Sequence, residues 1–181
     1  MLVAVGVPAT ASAAHGCDPE SGTTSQAFAQ FGDYADYFLA PGGDFEGALT
    51  WEGRRTPTLV DTDDPFGLAG GAQALHLGKD DAVTSPRLCV TRDLPHLRFV
   101  AKSSGSGQLD VEVDVYDDRG RVTDSSSGSV SPSDHRRWQP SDPVLLKTDS
   151  LKKNKAGYVS ITFKSQGSWL IDDVFIDPYR R

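Results

Sequence analysis

Hydrophobic and polar residues alternate along several short segments, most regularly between residues 109 and 116. Four aliphatic residues alternate there with four polar ones, in the order Leu109, Asp110, Val111, Glu112, Val113, Asp114, Val115 and Tyr116. A period of two places successive side chains on opposite faces of a β-strand. The segment therefore predicts a strand with one face in a hydrophobic core and a polar face that carries three carboxylates and one tyrosine.

Other short hydrophobic segments follow the same pattern and are separated by turn residues. The strand candidates are the Phe45 and Trp51 region and residues 57–60, 74–77, 83–90, 97–102, 109–116, 138–146, 158–164 and 169–176. Gly, Pro and Asp, which favour turns, lie between nearly all of them. Short strands at regular spacing are typical of antiparallel sandwiches. The sequence thus predicts an all-β fold, an antiparallel β-sandwich.

Two segments do not fit the strand pattern. Aromatic residues recur every three or four positions between residues 25 and 39, which suits either one turn of an amphipathic helix or an irregular arm on the core. The serine-rich segment 124–133 has no alternation of hydrophobic residues, and we interpret it as a loop within one domain. The predicted organisation is an N-terminal arm at 14–40 and a sandwich at 41–181.

Composition supports a globular β-protein and excludes several classes. The chain is 38% hydrophobic, which suffices for an ordinary core, and no hydrophobic run approaches the roughly 20 residues of a membrane span. The net charge of -7 makes nucleic acid an unfavourable partner, because phosphate backbones attract basic surfaces. Most acidic residues are Asp, which favours turns and caps over helix interiors. We expect a monomer without a membrane span.

The N-terminus indicates export. An apolar run over residues 2–7 is followed by Ala11-Ser12-Ala13, a small-x-small pattern of the kind that signal peptidase cleaves, so residues 1–13 are interpreted as the remnant of a signal peptide. The only cysteines, Cys17 and Cys89, form an even pair, which in an exported chain predicts a disulfide. The alternative is a buried free Cys89 and an exposed Cys17.

No segment carries a recognisable catalytic motif. His76, His96 and His135 are widely separated, and Gly105-Ser106-Gly107 is only a fragment of a hydrolase elbow. The acidic doublets are explained more simply as turns than as glycosidase carboxylates. We therefore predict a protein that is not an enzyme and keep a secreted hydrolase as the least favoured alternative.

Two motifs carry a family resemblance. The segment Gly42-Gly43-Asp44-Phe45-Glu46-Gly47, followed by Trp51, resembles the opening strand of galactose-binding-like jelly rolls among secreted carbohydrate-binding modules. The segment Ile171-Asp172-Asp173-Val174 resembles their closing strand. The order of the intervening strands is also similar, so the resemblance spans residues 41–179. The whole chain is similar, in addition, to small exported actinobacterial proteins of unassigned function.

The resemblance implies a structural Ca²⁺ held by Glu46 on the opening strand and by Asp172 and Asp173 on the closing strand. Ca²⁺ prefers six to eight oxygen ligands, and neighbouring first and last strands would bring these carboxylates together. The alternative is that the carboxylates cap turns and accept hydrogen bonds from backbone N–H groups.

The resemblance also implies a sugar-binding surface, for which the polar face of the 109–116 strand is the candidate. Tyr116 would stack on a sugar ring, and nearby polar groups would contact hydroxyls. The proposed contacts are Asp110, Glu112, Asp114 and Arg98. The predicted function is a secreted, non-catalytic carbohydrate-binding module with structural calcium; the alternative is an extracellular structural or adhesion scaffold whose polar face is only a solvated, salt-bridged surface.

Overall fold

A computed structural model describes residues 23–55, 57–91, 96–117, 119–151 and 156–177. Within them the strands, in chain order, are β1 Thr24–Ser25, β2 Tyr37–Leu39, β3 Glu52–Arg54, β4 Thr58–Val60, β5 Ala74–Leu77, β6 Ala82–Thr84, β7 Leu88–Thr91, β8 His96–Ser103, β9 Leu109–Tyr116, β10 Val122–Val130, β11 Gln139–Pro140, β12 Val144–Leu145, β13 Ala156–Ser165 and β14 Trp169–Asp177. Short 3₁₀ helices lie at Ala29–Phe31 and Thr148–Ser150.

The strands form two antiparallel sheets. In the eight-stranded sheet, β14 pairs with β8 on one side and with β5 and β2 on the other; β11 and β12 pair with β8, β4 with β5, and β1 with β2. In the six-stranded sheet, the order is β10-β9-β13-β6-β3, and β7 also pairs with β13. The predicted all-β antiparallel sandwich is confirmed, and β9, the strand with the clearest alternation, lies between β10 and β13 in the six-stranded sheet.

The main core lies between the two sheets. The aliphatic residues of β9 are fully buried and its polar residues are partly exposed, as the alternation predicts. Aromatic rings fill the centre: Trp51 stacks on Phe163 with ring centroids 5.8 Å apart, and Phe99 meets the same ring edge-on. Burying such large rings contributes most of the hydrophobic stabilisation of a sandwich of this size.

Several predicted strand boundaries were wrong, and backbone geometry at Pro86 and Phe45 explains two of the differences. The segment 83–90 is two strands, since Pro86 lies in the break between β6 and β7 and cannot donate to a ladder. Phe45 and Trp51 precede β3, although their rings are buried, because Phe45 has a φ of 51° that no regular strand accommodates. The segment 138–146 contributes only the short strands β11 and β12.

The interpretation of the serine-rich segment as a loop is wrong. Residues 122–130 form β10, an edge strand that pairs with β9 over almost its whole length after a bulge between Val122 and Asp124. Hydrophobic alternation is absent because an edge strand faces solvent with most of its side chains, and short hydroxyl side chains suffice there. Pairing with β9 holds residues 122–130 in a strand that their own sequence does not predict.

The aromatic segment 25–39 is an arm, one of the two predicted alternatives. It covers the face of the eight-stranded sheet that points away from the main core, and it adds β1 and β2 to that sheet. Phe28 and Tyr37 are buried in a second hydrophobic cluster together with Val100 and Phe175. Their rings pack edge to face, with the centroids of Phe28 and Tyr37 5.0 Å apart. The eight-stranded sheet is consequently hydrophobic on both faces.

Arg98 fastens this arm, and its predicted role in contacting sugar is wrong. The side chain lies on the arm side of β8, only 8% exposed, and not on the six-stranded sheet. Its guanidinium donates to an Asp33 carboxylate oxygen at 2.7 Å and to the carbonyl of Ser141 at 3.0 Å, and it lies over the Phe28 ring. Charge alone suggested an exposed ligand contact, whereas burial and three partners make it a structural anchor.

Asp33 is the counter-charge for Arg98. Burial alone would raise the pKa of Asp33, but hydrogen bonds from the Tyr37 hydroxyl, the Ala35 N–H and Arg98 outweigh it and hold the pKa below its usual value. The carboxylate is therefore ionised at neutral pH and contributes stability that is lost as the pH falls through its lowered pKa.

The structure describes only some of the residues on which the prediction of export and of a disulfide depends. Residues 1–13 and Cys17 lie outside the described residues, while Cys89 lies half-buried on β7. Export and the Cys17–Cys89 disulfide therefore stay predictions. No helix among the described residues is long and apolar enough to cross a membrane.

We expect Asp33→Ala to lower the free energy of unfolding by about 2–3 kcal/mol in denaturant titrations at pH 7, because it leaves the buried Arg98 guanidinium without its carboxylate. Glu52→Ala, which removes the same charge from an exposed position on β3, is the control and should change stability by no more than about 0.5 kcal/mol. Equal effects of the two substitutions would show that the arm is not anchored through this ion pair.

Candidate functional site

The outer face of the six-stranded sheet collects the residues predicted to bind sugar. Asp110, Glu112, Asp114 and Tyr116 point outward from β9. Their direct neighbours on β13 are Lys164, Thr162, Ser160 and Tyr158, and those on β10 include Ser129, Ser127 and Ser125. Since residues directly opposite in a ladder share a face, these side chains form one polar surface. We call it the outer face.

Most acidic groups on the outer face have partners within it. Lys164 forms an ion pair with Glu112, Gln166 donates to Asp110 at 2.7 Å, and the Ser125 hydroxyl donates to Asp114 at 2.6 Å. These contacts are exposed and contribute little stability. They orient the carboxylates across the sheet and leave each with a further oxygen lone pair for an external donor.

Two tyrosines lie side by side at one end of the outer face. Tyr116 on β9 is directly opposite Tyr158 on β13, both half-buried, and the Tyr116 hydroxyl is 3.0 Å from the hydroxyl of Ser160. The Arg87 guanidinium carbon lies 4.3 Å from the centre of the Tyr116 ring. Sequence reasoning missed Arg87, because it lies in the break between β6 and β7, in the middle of a segment interpreted as one strand.

A second group of acidic side chains lies in and beneath the loop that joins β4 to β5, on the arm side of the eight-stranded sheet. One carboxylate oxygen from each of Asp63, Asp64 and Asp172 lies within 4.8 Å of the other two. Asp64 and Asp172 are only 5% and 2% exposed, and Asp173 is equally buried beside them. We call Asp63, Asp64, Asp172 and Asp173 the acidic cluster.

A bulge in β14 brings Asp172 and Asp173 into the acidic cluster. The register against β8 advances three residues from Asp172 to Phe175 on β14, but only two from Val100 to Arg98 on β8. Asp173 has a φ of 51°, in the left-handed region. Such a bulge interrupts the alternation of side chains, which allows consecutive residues to be buried on the same side.

The bulge also connects β14 with the opening motif. The N–H of Val174 donates to the carbonyl of Gly43 at 2.9 Å, and the carbonyl of Val174 accepts from Ala40. A Cβ on Gly43 would lie 2.9 Å from the carbonyl oxygens of Ala40 and Val174, so only glycine permits this approach. The two motifs that carry the family resemblance are therefore in direct contact.

The three predicted metal ligands have different partners in the structure. Asp172 belongs to the group of three that converge on one point, whereas Asp173 accepts a hydrogen bond from the Ala69 N–H at 3.1 Å. Glu46 accepts from the N–H groups of Ala72 and Gln73 through Oε1, at 2.8 and 2.7 Å. Both residues hold the β4–β5 loop in place, and a further role for either as a metal ligand stays a prediction.

Two oxygens of the acidic cluster are buried without a hydrogen-bond partner, namely Asp64 Oδ2 and Asp172 Oδ2. The ion pairs among the described residues do not include this cluster. Burial, with the charges of Asp173, Asp64 and Asp63 adding to it, raises the pKa of Asp172 to about 9. Burial and the neighbouring Asp64 carboxyl raise the pKa of Asp173 to about 7. Unpaired buried carboxylates are costly without a cation.

The donor set fits Ca²⁺. Calcium–oxygen distances of about 2.3–2.6 Å place two ligands of one ion at most about 5 Å apart, which agrees with the mutual spacing of the three carboxylate oxygens. Hard carboxylate oxygens are the ligands that Ca²⁺ prefers. The sequence did not nominate Asp63 and Asp64, because Asp next to Pro between two strands is typical of a turn. Asp64 Oδ1 does accept the N–H groups of Phe66 and Gly67, and its second oxygen has no hydrogen-bond partner.

Comparison with solved structures identifies the architecture. A family 11 carbohydrate-binding module from Clostridium thermocellum, in complex with a β-1,3-1,4-mixed-linked tetrasaccharide, superposes with a TM-score of 0.52 at 12% identity, over 80% of this chain and 97% of that one. The CBM22-1 xylan-binding domain of Paenibacillus barcinonensis Xyn10C gives 0.50 at 15% identity, over 77% and 93%. At these identities the likeness shows a shared jelly-roll fold.

Larger proteins contain the same fold as one part. The enzymatically active domain of bacteriophage CBA120 tailspike protein 4 matches with a TM-score of 0.53 and 15% identity, over 76% of this chain, which spans only 21% of that domain. No protein-family model and no curated protein sequence matches the chain. The chain thus has the jelly-roll β-sandwich found in carbohydrate-binding modules.

Proposed function

We propose that this protein is an exported, non-catalytic carbohydrate-binding module that binds glycan on the outer face and is stabilised by Ca²⁺ at the acidic cluster. The observation that carries the sugar-binding part is the outer face itself, where the Tyr116 and Tyr158 pair adjoins rows of carboxylate and hydroxyl groups. Aromatic rings pack on the C–H faces of sugars, and carboxylates accept hydrogen bonds from hydroxyls.

The fold supports this proposal. Solved structures that share the sandwich include modules described as xylan-binding or complexed with a mixed-linked tetrasaccharide. The acidic character of the outer face favours neutral over anionic glycans, because Asp110, Glu112 and Asp114 would repel a uronic acid. A ligand on an open, wet surface is expected to bind with a Kd on the order of 0.1–1 mM.

Arg87 is expected to influence binding at the tyrosine pair. Its guanidinium covers the Tyr116 ring at the position where a sugar would stack, and among the described residues its hydrogen bond is an exposed 3.4 Å contact with the carbonyl of Gly120. Cation–π contacts at exposed sites are worth about 0.5–1 kcal/mol, so a ligand displaces the guanidinium at small cost.

A scaffold without sugar binding is the second candidate. It is favoured by the pairing of Asp110, Glu112 and Asp114 with residues of the same surface, which satisfies much of the polar face internally. A glycan array probed with and without Ca²⁺ distinguishes the two candidates, since a scaffold retains no glycan under either condition.

For calcium, we propose that Asp63, Asp64 and Asp172 hold the ion and that it neutralises the acidic cluster. These carboxylates form no ion pair with a basic side chain among the described residues, so Ca²⁺ would provide the missing positive charge. The ion would also connect the β4–β5 loop to β14. Binding to the folded state alone stabilises by mass action.

We predict that Ca²⁺ at 100 times its Kd raises the free energy of unfolding by about 2–3 kcal/mol over the protein in EDTA. Asp172→Asn should remove this increment, because one ligand charge is lost. In EDTA the same variant should be at least as stable as the wild type, because asparagine avoids the cost of keeping a buried carboxyl protonated at neutral pH. Calorimetric melting in both buffers measures both effects.

The control for this experiment is Asp110→Asn, which makes the same chemical change on the outer face. It should keep the full calcium increment. If Asp172→Asn responds to calcium like the wild type and Asp110→Asn, the acidic cluster is not the calcium site.

The raised pKa values predict an unusual dependence on pH in EDTA. The pKa of Asp172 is raised from 3.8 to about 9 and that of Asp173 to about 7, so both carboxyl groups favour the protonated form in the folded state. The stability that they support is therefore present below pH 4 and is lost as the pH rises toward 9. Asp172→Asn should flatten the decline. Denaturant titrations between pH 5 and 9 check this, and a wild-type decline no steeper than that of the variant contradicts it.

For the sugar site, we predict that Tyr116→Ala abolishes retardation in affinity gels that contain xylan or mixed-linkage β-glucan, whichever the wild type binds. Tyr116→Phe, which keeps the ring and loses the hydroxyl contact with Ser160, should retain binding. Tyr34→Ala removes a tyrosine that is 66% exposed on the arm and serves as the matched control. Unchanged retardation of Tyr116→Ala would place the ligand elsewhere.

A further inference from the structure

A groove of about 570 Å³ lies at one edge of the sandwich, apart from the acidic cluster. One wall is β10, the edge strand of the six-stranded sheet, and the other is the segment with β11 and β12, which pair with β8 of the eight-stranded sheet. The Ser126 hydroxyl joins the walls by donating to the carbonyl of Leu145 at 2.8 Å. We call this cavity the edge groove.

His135 lines the edge groove and carries an unpaired acceptor. The side chain is only 8% exposed, and its ring packs against Trp169. Nδ1 lies 3.2 Å from the carbonyl oxygen of Ser131, which can only accept, so in the neutral ring Nδ1 holds the hydrogen and Nε2 holds a lone pair. Nε2 is buried and has no hydrogen-bond partner. A buried acceptor of this kind calls for an external donor.

The remaining lining is rich in groups that bind hydroxyls. Gln139 offers an amide, Asp134 and Asp142 offer carboxylates, and Ser131 offers a hydroxyl, while Val144 contributes an apolar patch. No Lys or Arg is among the lining residues. This combination disfavours anions, which carboxylates repel, and lipids, which would leave the polar groups unpaired. It suits a neutral ligand that presents both hydroxyls and C–H surfaces.

A metal ion is a poorer occupant. Among the described residues, the carboxylates and imidazoles close enough to share a cation are Asp63, Asp64 and Asp172, and His135 is not part of that group. His135 therefore belongs to no group of three metal-binding side chains among the described residues.

We infer that the edge groove is a second ligand site, separate from the tyrosine pair of the outer face, which takes a short segment of neutral glycan. On binding, the His135 ring turns so that Nε2, which is closed off from solvent in the free protein, accepts a hydrogen bond from a sugar hydroxyl. The inference rests on the proposed function for the class of ligand, but the site itself is argued from the groove. A chain with two such sites binds a polymer by two contacts, which raises its apparent affinity above that of either site.

The test is a titration of the ¹⁵N-labelled full chain with xylohexaose and with a mixed-linkage β-glucan tetrasaccharide, each to about 10 mM, which is well above a weak Kd of about 1 mM. We expect the amide signals of residues 131–135 and 139–145, prolines excepted, to shift as one group. His135→Phe, which keeps a ring of similar shape without nitrogens, should weaken this group's binding by about tenfold or more. His76→Phe is the control, because His76 Nε2 already contacts the Ser168 hydroxyl and does not line the edge groove.

A second variant keeps the test valid if His135→Phe does not fold. Asp142→Ala changes an exposed lining residue and should weaken binding in the edge groove while the melting temperature stays unchanged. Tyr116→Ala should leave the groove signals responsive and abolish only the shifts of β9 and β13 near the tyrosine pair.

The outcomes separate the two proposals. Shifts on the outer face with none in the groove overturn the second site and leave the proposed function intact. Shifts in the groove with none on the outer face overturn the ligand face and support the second site, and no shifts at all overturn both. Groove shifts that persist unchanged in His135→Phe and Asp142→Ala overturn the inferred contacts, and a groove that responds to an extended Val-Thr hexapeptide but to neither sugar is a peptide site.

Discussion

The bulge at Asp172, Asp173 and Val174 connects three parts of the molecule that are distant in the sequence. Val174 exchanges backbone hydrogen bonds with the turn at residues 40–43, and Asp173 holds the β4–β5 loop through the N–H of Ala69. Asp172 converges with Asp63 and Asp64. The bulge therefore joins the closing strand to the opening turn and at the same time gathers carboxyl groups where water is excluded, which is the physical reason that the pKa of Asp172 is raised.

The eight-stranded sheet illustrates a second constraint, because both of its faces are buried. One face meets the six-stranded sheet across the main core, while the arm and the β4–β5 loop cover the other. Arg98 lies within this second layer, where its charge is acceptable only because Asp33, the Ser141 carbonyl and the Phe28 ring surround it. Asp33 consequently stabilises the fold through Arg98, which an acidic residue on an exposed arm would not do.

The six-stranded sheet differs because its outer face is uncovered among the described residues. Side chains there are polar and pair mainly with one another, so they stabilise the fold little and remain available to a ligand. The same sheet ends at β10, whose small side chains leave room for the edge groove. A rigid sandwich with one open polar face is a scaffold on which binding sites differ by side chain alone.

The sequence alone predicted the class of fold, the long strands and the face of β9, because hydrophobic alternation reflects burial on one side of a sheet directly. It also indicated through the opening and closing motifs that two segments far apart in the sequence would meet, as Gly43 and Val174 do. Asp172 was recognised as a candidate ligand on the same basis; its carboxylate converges with those of Asp63 and Asp64, and its role as a ligand stays a prediction.

Only the tertiary structure determined the features that depend on contacts between segments distant in the sequence. β10 is a strand because β9 pairs with it, although its serines carry no pattern of their own. Arg98 is an anchor and not a ligand contact, because the arm folds over it. Asp63 and Asp64 join Asp172 because a loop packs against a bulge, and the unpaired Nε2 of His135 is evident only once its surroundings are known. Local pattern reports which side of a strand is buried, whereas the partners of a buried polar group are set by long-range packing, which no local pattern contains.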